Sequence, residues 1–93
     1  MPDLVMVIED EKEIRDLVRY NLERAGYRVS TAADGEAGLK DIFASRPDVV
    51  VLDLMLPERS GLEVLRELRG EPLTRDLPVI VLTARGEIGR AHV

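Results

Sequence analysis

Acidic side chains follow two short apolar runs of this chain. Glu9 and Asp10 come directly after Leu4–Ile8, and Asp53 comes directly after the apolar residues 49–52. If both runs are buried parallel strands lying side by side, about 4.8 Å apart, their carboxyl ends bring the three carboxyl groups into one small pocket. Such a cluster does not ionise fully without a cation. The spacing therefore indicates a hard-metal site beside a nucleophilic carboxylate.

The pattern of apolar residues predicts strands that alternate with helices. We expect strands at Leu4–Ile8, 27–32, 49–52 and Val79–Leu82, the last of them ending at Thr83. We expect helices over residues 11–25, from a cap at Asp34 to about Ser45, and from a capping box that opens at Ser60. This order predicts an α/β domain with a parallel sheet, in which ligands bind beyond the carboxyl ends of the strands.

The helical spacing also predicts which side chains face the core. These are Ile14, Leu17, Val18, Leu22 and Ala25 in the first helix, Leu39, Ile42 and Phe43 in the second, and Leu62, Leu65 and Leu68 in the third. The fourth strand is expected to be buried, and the second to lie at an edge. The charged residues between 15 and 24 are expected to form a solvated helix face with local ion pairs.

Length and composition restrict the class of protein. A chain of 93 residues forms one domain at most. Its 18 acidic and 13 basic residues give a net charge of -5, which predicts that this segment binds no nucleic acid. Cysteine is absent, so there is no disulfide framework. The apolar start Leu4–Ile8 is too short for a membrane span or a signal peptide, so we expect a cytoplasmic protein.

Four short motifs together resemble the receiver domain of bacterial two-component response regulators. They are Ile8-Glu9-Asp10-Glu11, Asp53-Leu54-Met55-Leu56-Pro57, Ser60-Gly61 and Leu82-Thr83-Ala84-Arg85-Gly86. The resemblance covers residues 4 to about 87. It implies a flavodoxin-like, doubly wound parallel sheet with strand order 2-1-3-4-5. The stretch 74–78 looks most like regulators of the phosphate-regulon type, whose output half is a winged-helix DNA-binding domain.

The resemblance also implies a function and its residues. Asp53 would accept a phosphoryl group from a histidine kinase, in a switch domain that assists its own phosphorylation and dephosphorylation without being an enzyme in the usual sense. Glu9, Asp10, Asp53 and the backbone carbonyl of Met55 would hold Mg²⁺. The phosphoryl-binding switch residues would follow the fourth strand, at Thr83 and Ala84. The domain would regulate its own output domain, which this segment does not contain.

Simpler interpretations of the same residues stay open. Asp10 could cap the first helix, with Glu13 completing a capping box. Glu9 could be a solvated residue at a strand end, Asp53 a loop cap, and Thr83 a strand terminus.

The chain departs from the family pattern after the fourth strand. No lysine follows Lys40, so the lysine that the family places at the tip of a fifth strand has no counterpart in these 93 residues. The fifth strand and the dimerisation surface are missing as well. We therefore expect a truncated receiver domain over residues 1–87, prone to aggregation or partial unfolding because its fourth strand becomes an exposed edge. Residues 88–93 match a translated sequencing adapter, so we interpret them as a non-native tail.

Three other functions are compatible with an aspartate at a strand end. A phosphatase or phosphotransferase with an aspartate nucleophile usually needs a second aspartate two positions later, where this chain has Met55. A nucleotide-binding domain needs a glycine-rich loop after the first strand, where this chain has acidic residues. A non-phosphorylated interaction module needs no intact acidic trio.

Overall fold

The computed structural model describes residues 3–82, in which strands and helices alternate along the chain. The strands are β1 (Leu4–Ile8), β2 (Arg28–Ala32), β3 (Val49–Asp53) and β4 (Val79–Leu82), and the helices are α1 (Lys12–Arg24), α2 (Gly35–Ser45) and α3 (Gly61–Gly70). The predicted elements are all present. The main shift in bounds is that β3 includes Asp53 as its last residue.

The four strands form one sheet in the order β2-β1-β3-β4, and every neighbouring pair is parallel. The prediction of a parallel α/β sheet with the receiver-type order is therefore confirmed for these strands. Strand β2 lies at one edge, as expected, and β4 lies at the other. The inner strands β1 and β3 are apolar apart from Asp53 at the end of β3, and they are nearly completely buried, as strands covered on both faces require.

Helices cover the two faces of the sheet unequally. On one face, α2 and α3 enclose the main core, in which Met6, Ile8, Ile42, Leu52 and Leu68 are fully buried. On the other face, the buried cluster consists of three valines only, Val5, Val7 and Val51. No residue of α1 is itself buried. Most of the apolar burial of the described chain is therefore on the α2–α3 side.

The predicted inward face of α1 is only partly right. Val18 and Leu22 pack against the valine cluster, but the side chain of Leu17 is 60% exposed and Ala25 is exposed as well. Helical spacing predicts a wide apolar stripe, whereas a single helix lying on a sheet presents a narrower strip to it. Leu17 lies at the margin of that strip.

Two further burial predictions are wrong. In α3 the buried side chains are Val64 and Leu68, while Leu62 is 47% exposed, because the helix turns its first apolar residue away from the sheet. In β4 the side chains of Ile80 and Val81 are 57% and 43% exposed, which contradicts the burial expected of the apolar run and agrees with the exposed edge that was also expected. An apolar run indicates a strand, but its burial depends on neighbours, and among residues 3–82 no further strand pairs with the outer side of β4.

Two of the three helix caps considered from the sequence are present in the structure. Asp34 accepts a hydrogen bond from the amide of Ala37 at 2.8 Å, and Ser60 accepts one from the amide of Glu63 at 3.2 Å. The interpretation of Asp10 as the cap of α1 is wrong: the cap position belongs to Glu11, whose side chain makes no capping bond. Asp10 is therefore free for another role at the sheet rim.

The turn from α3 to β4 is held by two side chains. Nη1 of Arg69 donates to the carbonyl oxygens of Leu77 at 2.7 Å and Arg75 at 2.9 Å, with a longer contact of 3.4 Å to that of Thr74. The buried hydroxyl of Thr74 donates to the carbonyl of Leu68 at 2.6 Å. These bonds fix the path by which the chain enters β4.

Several predictions concern residues outside the described range. Thr83 and Ala84 lie there, as do the proposed end of the receiver unit at residue 87 and the tail 88–93. They stay predictions. Among the helices of residues 3–82, none has the length and apolar character needed to cross a membrane.

Candidate functional site

The register of the sheet brings the predicted acidic residues together. Ile8 pairs with Leu52, so Glu9 and Asp53 are the next residues at the same height on neighbouring strands. Carboxyl oxygens of Glu9, Asp10 and Asp53 all lie within 4.8 Å of one another. The side chains of Glu9 and Asp53 are 0% and 1% exposed, whereas Asp10 faces solvent. The prediction that these three carboxyl groups share one pocket is confirmed, and a solvated Glu9 is excluded.

Backbone amides hold one oxygen of each buried carboxyl group. Oε2 of Glu9 accepts a hydrogen bond from the amide of Glu11, and Oδ1 of Asp53 accepts one from the amide of Met55, both at 3.0 Å. In both turns the donor lies two residues after the acceptor, which orders the side chain and the loop together. The interpretation of Asp53 as a loop cap is thus correct, and it does not conflict with a role in a site.

The other oxygen of Glu9 has no partner. Its Oε1 is buried and accepts no hydrogen bond within the described part of the chain. Burial is the main cause that raises the pKa of Glu9 to about 7; the amide of Glu11 acts against it, while the charges of Asp53 and Asp10 and a side-chain hydrogen bond with Asp53 act in the same direction as burial. A buried oxygen without a donor is costly, and a bound cation would remove that cost.

The donor set fits a hard divalent cation. All three side chains offer carboxyl oxygens, which Mg²⁺ prefers, and one of them reaches solvent, as an ion that keeps several waters requires. No sulfur or imidazole donor lies in the cluster, so the softer ligands typical of zinc sites are absent from it. Met55, whose carbonyl is predicted as a further ligand, follows in the loop after Asp53, with its side chain 60% exposed.

The loop after Asp53 returns closely beneath the strand end. The amide of Gly61 donates to the carbonyl of Leu54 at 3.2 Å, so α3 begins against the end of β3. A Cβ atom at Gly61 would overlap the carbonyl oxygen of Asp53 and would lie 2.6 Å from the Cα atom of Leu54. Gly61 is therefore needed for this close approach, which the sequence alone did not explain.

Two arginines near the site were not identified from the sequence. Arg59 joins the loop to both flanking helices through Glu36 at 3.2 Å and Glu67 at 3.0 Å. Arg15, expected on a solvated helix face, is instead half-buried and donates to the carbonyl of Glu9. Ion pairs do occur on that helix, between Asp16 and both Lys12 and Arg19. Nothing in the spacing of charges distinguishes Arg15 from its neighbours.

The model of the response regulator receiver domain family matches residues 5–92, which is nearly the whole chain. The chain belongs to the response regulator receiver domain family. As a receiver domain of a two-component system, it is a phosphoacceptor switch rather than an enzyme with its own substrate turnover. The family resemblance given by the four motifs is thus confirmed.

Curated relatives of this receiver domain are transcriptional regulators. The chain is 47% identical over 83 residues to the alkaline phosphatase synthesis transcriptional regulatory protein PhoP of Bacillus subtilis, an alignment that covers 89% of this chain and 34% of PhoP. It is 41% identical over 83 residues to the phosphate regulon transcriptional regulatory protein PhoB of Escherichia coli, with 89% and 36% covered. The chain therefore spans about a third of the length of these relatives.

Solved receiver structures share the fold. A putative response regulator from Chloroflexus aurantiacus superposes with a TM-score of 0.89 at 34% identity, covering 95% of this chain and 72% of that one. The response regulator protein TrrA from Thermotoga maritima, solved in complex with Mg(2+)-BeF, superposes with a TM-score of 0.84 at 39% identity, covering 90% and 71%. The acidic pocket described above thus belongs to a fold that carries Mg²⁺ in at least one relative.

Proposed function

We propose that this receiver domain takes a phosphoryl group onto Asp53 from a histidine kinase, with Mg²⁺ held by Glu9, Asp10, Asp53 and the carbonyl of Met55. The observation that carries the proposal is the acidic pocket itself: two carboxyl groups are buried at a strand end, and one of them has an oxygen that no donor in residues 3–82 reaches. Family membership and the Mg(2+)-BeF complex of TrrA support the same assignment.

The position of Asp53 suits it to be the acceptor. Its Oδ1 is held by the amide of Met55, which leaves Oδ2 as the attacking oxygen. In the transfer, that oxygen forms a bond to phosphorus while the bond from phosphorus to the histidine nitrogen of the kinase breaks. The carboxyl groups of Glu9 and Asp10 would otherwise repel an incoming phosphoryl group. Bound Mg²⁺ supplies the positive charge that offsets both the carboxylates and the phosphoryl oxygens.

The remaining parts of the proposal concern residues and partners beyond the described pocket. Thr83 directly follows β4, and we assign its hydroxyl and the amide of Ala84 to the phosphoryl oxygens. We further propose a cytoplasmic protein in which the receiver controls an attached output domain that regulates transcription, since the curated relatives are transcriptional regulators about three times as long as this chain. The net charge of -5 supports the view that the receiver segment itself does not bind DNA.

Phosphorylation by a small-molecule donor tests the proposal. The purified protein is incubated with acetyl phosphate, with and without Mg²⁺, and the mass of the intact protein is measured. We expect a single phosphoryl group that requires Mg²⁺, is absent from Asp53→Asn, and is present in the control Asp76→Asn, whose substitution lies in the exposed α3–β4 turn. Labelling of Asp53→Asn, or labelling that ignores Mg²⁺, would contradict the assignment.

Failure of labelling together with measurable Mg²⁺ binding would favour the non-phosphorylated interaction module. Multiple turnovers of acetyl phosphate without stable labelling would favour the aspartate-nucleophile phosphatase, although Met55 occupies the position of its second aspartate. Labelling, Mg²⁺ titration and the consumption of acetyl phosphate together separate the three classes.

A further inference from the structure

The side chain of Arg15 makes hydrogen bonds to the loop that carries Glu9 and Asp10. It lies on the first turn of α1, is half-buried, and points back toward the end of β1. Its Nη1 donates to the carbonyl oxygen of Glu9 at 2.9 Å, with a longer contact of 3.4 Å to that of Asp10. The guanidinium therefore contacts the main chain of both residues.

We propose that Arg15 is a positioning residue for the metal site, which fixes the main chain from which the carboxyl groups of Glu9 and Asp10 project. This inference rests on the proposed Mg²⁺ site. The carboxyl group of Glu9 is anchored at one oxygen by the amide of Glu11. Arg15 holds the same loop through the main-chain carbonyl oxygens of that loop. Two sets of hydrogen bonds therefore fix this loop, one to the side chain of Glu9 and one to the main chain.

Arg15 has two opposite effects on Mg²⁺ binding. A guanidinium near three acidic groups repels an incoming cation, so its charge alone would weaken Mg²⁺ binding. Its hydrogen bonds have the opposite effect, because they pre-order two ligands that would otherwise lose conformational freedom when the ion binds. Removing Arg15 therefore tightens Mg²⁺ binding if charge dominates and weakens it if positioning dominates.

Calorimetric titration of Mg²⁺ into the metal-free protein decides between these effects. We expect Arg15→Met, which keeps an unbranched apolar stem but removes the charge and the donors, to weaken Mg²⁺ binding roughly tenfold. Arg15→Lys keeps the charge and offers a single flexible donor group. The Mg²⁺ affinity of this variant should therefore lie between that of the unaltered protein and that of Arg15→Met.

The matched control is Arg19→Met. Arg19 lies one turn further along α1, is exposed, and pairs with Asp16 at 3.5 Å rather than with the loop. This substitution changes the net charge by the same amount. We expect it to leave Mg²⁺ affinity unchanged or slightly tighter, because it removes a distant positive charge without touching the loop.

Amide hydrogen exchange gives a readout that does not depend on the metal. In metal-free Arg15→Met, the amide of Glu11 should exchange faster than in the unaltered protein, while core amides such as that of Val7 keep their protection. If Arg15→Met loses core protection as well, Arg15→Lys becomes the deciding variant, because weaker Mg²⁺ binding in a folded protein of unchanged charge still requires positioning.

The outcomes separate this inference from the proposed function. Mg²⁺ affinity in folded Arg15→Met that equals or exceeds that of the unaltered protein would overturn the positioning role and leave the metal site intact. Equal weakening of Mg²⁺ binding in Arg19→Met and in Arg15→Met would also overturn the positioning role. No Mg²⁺ uptake by the unaltered protein would overturn the metal site, and the role of Arg15 with it.

Discussion

Glu9 is completely buried, and its Oε1 accepts no hydrogen bond from residues 3–82, so its protonation state depends on the fold. Its pKa rises from 4.5 to about 7 on folding, chiefly because burial disfavours the charged form. Between these two values the folded protein binds more protons than the unfolded one. The stabilisation is fully present below about pH 4.5 and is lost as the pH rises through 7.

We therefore predict that the metal-free protein becomes less stable as the pH rises from about 4.5 to 7, by on the order of 3 kcal/mol. Denaturant unfolding at several pH values measures this. Glu9→Gln, which stays neutral at every pH, should flatten the dependence, whereas Glu23→Gln on the exposed face of α1 should leave it unchanged. A dependence of equal slope in Glu9→Gln would show that another group is responsible.

Gly61 is predicted to be irreplaceable for a steric reason. Gly61→Ala would press a methyl group against the last residue of β3 and should destabilise the protein by about 1–3 kcal/mol. It should also weaken Mg²⁺ binding, since the displaced atoms belong to Asp53 and Leu54. Gly70→Ala is the matched control at the other end of α3: its Cβ meets nothing within 4 Å, and alanine favours the helix by roughly 0.5–1 kcal/mol.

Thermal denaturation and Mg²⁺ titration of both glycine variants provide the measurement. Equal melting temperatures for the two variants would contradict the close approach of α3 to β3.

At the scale of the elements, the turn between α3 and β4 depends on Arg69. We predict that Arg69→Met, which removes the donor to Arg75 and Leu77, lowers stability by about 1–2 kcal/mol. This corresponds to a fall in melting temperature on the order of 5–10 °C for a domain of this size. Arg66→Met, on the exposed side of the same helix, should have little effect. A melt of Arg69→Met that matches Arg66→Met would show that the turn holds without these bonds.

The sequence was sufficient to place every described element, because β1, β3 and β4 are built on short apolar runs and α2 and α3 open on side-chain caps at Asp34 and Ser60. It also placed the carboxyl trio, since the ends of adjacent parallel strands meet by geometry. It was not sufficient for the burial of Leu62 or Ile80, which depends on what lies opposite. Nor could it identify Arg15, whose partners are main-chain carbonyls with no sequence signature.

At the scale of the whole molecule, the α1 face of the sheet carries exposed apolar surface. A groove of about 220 Å³ opens there, lined partly by Leu22, Tyr27, Val51 and Ile80. An exposed apolar edge strand is a site for pairing between chains. We predict that the protein self-associates in solution and that Ile80→Lys shifts it toward monomer.

Sedimentation velocity at several concentrations measures this association. Leu62→Lys is the control, because Leu62 is similarly exposed but lies on α3. A concentration-independent monomer for the unaltered protein, with a cooperative melt, would contradict the expected tendency to aggregate.

The unequal cover of the sheet also affects the order in which parts of the molecule open. Helix α1 contributes no buried residue, so it should detach and reattach more readily than α2 or α3, which enclose the main core. Asp10, at the entrance to α1, is a member of the acidic trio, whereas Asp53 belongs to the firmly packed β3. A divalent ion bound by both residues would therefore connect the helix that detaches most readily to a firmly packed strand. Binding or release of the ion would first change the fraction of time for which α1 stays packed on the sheet.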